Sequence, residues 1–159
     1  MSAHDSILSK MYSVVGALML LEFLAQFYTI ASSGFITVAN EIANAGVSRV
    51  AVQDIEPFSA AHAVIGVLIV PLTIAALIGL SFGARYPRRT TVLTALLLLL
   101  WLLQFALAFV GFLGIPALAG LHGVNALGMV GLGIYLVKSN WAFGRHASAQ
   151  TQPKGNLTG

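Results

Sequence analysis

Glu22, His62 and His122 are the acidic and basic side chains that stand inside long apolar runs of this sequence. A charged group at the middle of a bilayer costs roughly 3 kcal/mol on insertion scales and is a functional candidate wherever it occurs. Neutral imidazole is a common metal ligand, and a carboxyl in hydrocarbon is cheaper as the neutral acid than as the carboxylate. The residue types point to metal or haem ligation by the histidines, and to a proton-handling or protonated packing role for Glu22.

The two histidines share a local pattern. His62-Ala63-Val64-Ile65-Gly66 and His122-Gly123-Val124-Asn125-Ala126 both read histidine, small, valine, any residue, small. One turn from His62 stand Ser59 and Gly66, and one turn from His122 stand Ala119 and Ala126, with the bulkier Leu118 nearby. Small side chains leave room for the edge of a flat ring between helices, which is consistent with one haem b held by two imidazoles. Arg49, in the outer connection, could then meet the propionates. The shared pattern also suggests that the two helix hairpins form a parallel internal repeat about an axis along the membrane normal.

On these two histidines with small flanks, and on its four-span plan from Met11 to Val137, the chain resembles small four-helix bacterial membrane cytochromes of the b type. The resemblance implies that His62 and His122 are axial ligands and that electrons pass to or from a quinone or a partner redox protein. The chain departs from the di-haem members of that group, which use four helix histidines, so at most one bis-histidine haem fits. Counted back from Lys138 and Arg85, the two histidines differ in depth by roughly 10 Å, which helix tilt and a kink at Pro71 must absorb.

A rival reading comes from the same residues. Gln26, Gln104, Asn125 and His122 all fall about 20–24 Å from the inner boundary at 1.5 Å per residue, with Glu22 one turn below Gln26. This layer would pin helix packing in a non-catalytic membrane subunit or scaffold, with Glu22 protonated and hydrogen-bonded. A small proton-linked carrier using Glu22 and His122 is the third reading.

These residues must be positioned by apolar helices. The chain has 159 residues, 58% hydrophobic and 8% charged, against about 25% charged in a soluble domain. A hydrocarbon core of about 30 Å needs about 20 apolar residues per helix. The runs predict an all-α, integral membrane four-helix bundle over residues 11–138, with spans at about 11–35, 59–83, 91–113 and 115–137. The third span, with its leucine run from Leu96 to Leu103, is the most lipid-like, and the glycine-rich fourth is expected to be an inner packing helix. Residues 1–10 form a short N-terminal segment, and the polar tail 139–159 is expected to be disordered beyond the interfacial Trp141 and Phe143. The connection from about Ile36 to Pro57 is long for a bundle, and part of it is expected to lie in the interface as a short amphipathic helix.

Orientation follows from Lys and Arg in the connections. Of eight such residues, Lys10, Arg85, Arg88, Arg89, Lys138, Arg145 and Lys154 fall on one side and Arg49 on the other. Both termini are therefore expected to be cytoplasmic, in a bacterial plasma membrane. The scattering of these cations at the ends of apolar runs argues against nucleic-acid binding. With no cysteine, disulfides, thiolate metal sites and covalently attached c-type haem are excluded.

Overall fold

A computed structural model describes residues 3–43, 52–113 and 115–143, and these are helical apart from short turns. The elements are α1 (Ala3–Ala43), α2 (Val52–Val64), a π-helical turn (Ile65–Ile69), α3 (Val70–Gly83), α4 (Arg88–Phe112) and α5 (Pro116–Asn140). Four stretches are long and apolar enough to cross a membrane: Ile7–Ala39, Glu56–Gly83, Arg88–Gly111 and Gly120–Asn140. In the most apolar window of each, only 11% to 22% of residues are buried within the protein. Most of the apolar surface therefore faces outward, which only a hydrocarbon solvent favours.

The helices run past the boundaries that hydropathy predicts. At 1.5 Å per residue, the 41 residues of α1 measure about 60 Å, twice the hydrocarbon thickness. Ile36 to Ala43 continue α1 instead of forming a separate interfacial helix, and residues from Val52 onward already belong to α2, which leads into the second span. Mixed polar composition marks where lipid ends and does not stop a helix whose backbone bonds are internal. Arg49 and the tail from residue 144 lie outside the described residues.

Pro71 stands at a change of helical register in the second span. The π turn immediately precedes α3, in which Pro71 occupies the first turn, and Val70 donates its backbone N–H to Ile65, five residues back. A π turn is a recognised way to accommodate a break in the i to i−4 ladder. The α3–α4 turn is closed by Arg85 at φ 52, a left-handed conformation rare outside glycine, with Tyr86 N–H bonded to Ser81 O at 3.1 Å and Pro87 ending the turn.

The helix interfaces are α1–α2, α1–α3, α3–α4, α4–α5 and α1–α5. All the buried members of the apolar core, Tyr12, Met19, Phe23, Val70, Ile74, Leu77, Leu97, Met129 and Leu136, lie from mid-helix towards the end of the bundle where α1 begins and α5 finishes. Asn140 ties that end together: its carbonyl accepts from Ser13 Oγ and Tyr86 OH, each at 3.3 Å, and its Oδ1 accepts from Thr90 Oγ1 at 3.3 Å. In the opposite half α2 packs on α1 while α5 packs on α4.

The fourth span departs from the expectation of an inner helix. Gly133 packs against Leu20, Met19 and Phe23 of α1, but a Cβ at Gly120, Gly123, Gly128 or Gly131 would meet nothing within 4 Å. One face of α5 is inner and the glycine-rich face is outer.

Candidate functional site

A polar stripe on α1 carries the first half of the site. Glu22, Gln26, Thr29 and Ser33 recur at helical spacing, so they share one face, and each bonds to the second span. Thr73 Oγ1 donates to Glu22 Oε1 at 2.7 Å, Gln26 Nε2 donates to the His62 carbonyl at 2.9 Å, and Ser33 Oγ lies 3.4 Å from Ser59 Oγ. Thr29 Oγ1 bonds the carbonyls of Ala25 and Gln26, both at 3.0 Å, and lies 3.4 Å from His62 Nδ1. Glu22 Oε2 is buried with no hydrogen-bond partner among the described residues.

His62 is half-buried against this stripe, with Nδ1 3.3 Å from the Gln26 carbonyl. The second hairpin repeats the relationship. His122, also half-buried, sets Nδ1 3.0 Å from the carbonyl of Gln104 on α4. Asn125, one turn along, donates through Nδ2 to Leu100 O at 2.9 Å and to Gln104 Oε1 at 2.6 Å. In each hairpin a histidine on the later helix is anchored to the main chain of a glutamine on the earlier one.

The carbonyl contacts fix proton positions. A carbonyl only accepts, so the hydrogen of a neutral imidazole in either position sits on Nδ1 and the lone pair on Nε2. Neither Nε2 has a hydrogen-bond partner among the described residues. Between the hairpins, Trp101 of α4 donates Nε1–H to Gly66 O in the π turn at 2.7 Å and stacks with Phe105, ring centroids 6.2 Å apart. No cluster of three or more His, Asp or Glu side chains suited to a metal ion occurs among the described residues.

The sequence-predicted flanks divide. Ala126 is half-buried on the His122 side of α5, and Gly66 is half-buried where a Cβ would come within 3.3 Å of the Gln26 amide. Ser59 and Gly123 are exposed, and Gly123 faces open space. The side chain of Ala119, like Arg49, is outside the described part. Thr29, Ser33 and Thr73 are site residues that hydropathy alone passes over. For Thr29 and Ser33 the signal was the continuation of the Glu22–Gln26 spacing along α1, whereas Thr73, on α3, had none.

Comparison with known proteins finds no matching family model, no matching curated protein and no matching solved structure.

Proposed function

We propose that this chain is a small membrane cytochrome of the b type, with His62 and His122 as the axial ligands of one haem and electron exchange with a quinol, a quinone or a partner redox protein. One observation carries the reading. Both imidazoles turn Nδ1 to a main-chain carbonyl of a neighbouring helix, which leaves both Nε2 lone pairs available. Metal-ligating histidines almost always donate their other ring N–H in this way, which fixes the tautomer and raises the basicity of the ligating nitrogen. This shared orientation of the two imidazoles is what supports the reading.

Haem bound between two imidazoles supplies a one-electron couple. The chain's own residues hold the rings in orientation: Gln26 O and Thr29 Oγ1 on one side, Gln104 O on the other, with Asn125 fixing the Gln104 side chain. The distribution of Lys and Arg supports an orientation with both termini cytoplasmic, and the histidines then lie in the outer half of a bacterial plasma membrane.

The experiment is the visible spectrum of the purified protein, reduced and oxidised, before and after adding haem. A strong Soret band and a sharp α band are expected, and His62→Ala and His122→Ala should each abolish or convert the low-spin form. Colourless protein from haem-replete cells that gains no low-spin spectrum with added haem overturns the proposal. Two other readings predict that outcome: a scaffold, which draws on the hydrogen-bonded layer of Gln26, Gln104 and Asn125, and a proton-linked carrier, which draws on the unpartnered Glu22 Oε2.

A further inference from the structure

A cation-bearing surface stands apart from the histidines, at the end of the bundle where α1 begins and α5 finishes. Arg89, in the first turn of α4, lies over the ring of Tyr135 on α5, with its guanidinium carbon 5.7 Å from the centroid. Lys138, three residues after Tyr135, projects from the same face of α5. Arg89 and Lys138 are exposed, Tyr135 is 43% exposed, and neither cation makes an ion pair among the described residues. Two positive charges and an aromatic platform thus face outward together without a carboxylate.

Their depth is that of lipid headgroups. Trp141 and Phe143, ring centroids 5.4 Å apart, follow α5 directly and are both partly exposed. Such aromatic side chains concentrate where hydrocarbon meets water. One turn before Tyr135, towards the hydrocarbon, Gly131 faces open space. That open position leaves room for an acyl chain hanging from a headgroup at Arg89.

We infer that Arg89, Tyr135 and Lys138 form a binding site for the phosphodiester headgroup of an anionic phospholipid. Stacking on Tyr135 holds the guanidinium fork in one plane, and that fork matches two phosphate oxygens while the ammonium of Lys138 supplies a second charge. Haem occupancy does not enter this inference, so it stands or falls separately from the cytochrome proposal.

The test is lipid competition on the whole protein in mixed nanodiscs of phosphatidylglycerol and phosphatidylcholine, with retained lipid counted by native mass spectrometry. The wild type is expected to enrich phosphatidylglycerol, and the preference should fall about fivefold for each cation removed in Arg89→Gln and Lys138→Gln. Arg89→Lys keeps the charge but loses the stacked fork, and should lose most of the preference. Lys10→Gln with Arg85→Gln removes two charges at the same end on the α1–α3 side, where Leu8 packs on Gly83, and should retain it. Equal retention of the two lipids by the wild type overturns the site, whether or not the variants fold. So does an equal loss in the Lys10/Arg85 control, which would mark a diffuse surface charge, and so does inorganic phosphate displacing the lipid at equal concentration.

Discussion

Trp101 donates its indole N–H to the carbonyl of Gly66 at 2.7 Å, and Pro71, five residues beyond Gly66, is the reason that carbonyl is free. In the π turn Val70 donates to Ile65 and not to Gly66. The next donor in that register would be residue 71, and proline has no N–H. The orphaned carbonyl sits in a medium with no water to satisfy it, and a neighbouring helix supplies the bond. A local break in one span thereby becomes a specific contact between the two hairpins.

A double-mutant cycle tests this coupling. Trp101→Phe should cost about 0.6 kcal/mol, and up to about 1.7, the range for hydrogen bonds between membrane helices. Pro71→Ala restores a backbone N–H that can reach Gly66 O, so Trp101→Phe should cost less than half as much in that background. Unfolding in mixed detergent micelles measures both. Equal costs in the two backgrounds would show that the indole bond does not depend on the proline.

The four spans were legible because runs of about 20 apolar residues have one use, and the polar layer was legible because each of its members interrupts such a run. The partners were not. Gln26 and Gln104 were visible as polar side chains, yet what holds each histidine is their main-chain carbonyl, which every residue possesses. Pro71 announced a kink, but nothing in the composition of α4 says that Trp101 would answer it. The glycines of α5 were read as packing positions from their number, whereas their helical phase puts Gly133 on the face against α1 and Gly128 and Gly131 on the open one.

Orientation is open to a direct measurement. With seven of eight Lys and Arg on the terminal side, reporter fusions after Gly83 and after Lys138 should read cytoplasmic, and one near Gly46 external. An external signal from the Arg85 to Arg89 turn would reverse the assignment, and with it the leaflet that holds the histidines.

Glu22 presents one satisfied oxygen, bonded to Thr73, and one buried oxygen with no partner. No cation faces it among the described residues, an arrangement suited to a neutral carboxyl in a packing role. Glu22→Gln keeps the acceptor for Thr73 and adds no charge, so stability should stay within about 0.5 kcal/mol. Thr73→Val removes the hydroxyl donor and should cost about 0.6 kcal/mol. If Glu22→Gln expresses and folds normally but loses electron-transfer or transport activity, the carboxyl handles protons and the packing role is insufficient.

The last prediction separates main-chain from side-chain anchoring of the histidines. His62 and His122 each turn Nδ1 to a glutamine carbonyl, at 3.3 and 3.0 Å, while the glutamine side chains bond elsewhere, Gln26 to the His62 carbonyl and Gln104 to Asn125. Replacing either glutamine by leucine leaves its carbonyl in place. Gln26→Leu removes a bond between α1 and α2, and Gln104→Leu leaves Asn125 its second acceptor, Leu100 O. Each should cost about 0.6 kcal/mol or less in unfolding and, under the cytochrome proposal, leave the low-spin spectrum intact. Gln26→Pro and Gln104→Pro distort the helix that presents the carbonyl, each by about 3 kcal/mol or more, and should convert the spectrum if the protein still folds. A low-spin spectrum lost in both leucine variants, with helicity unchanged by circular dichroism, would mean that the side-chain amides position the imidazoles and the carbonyls do not.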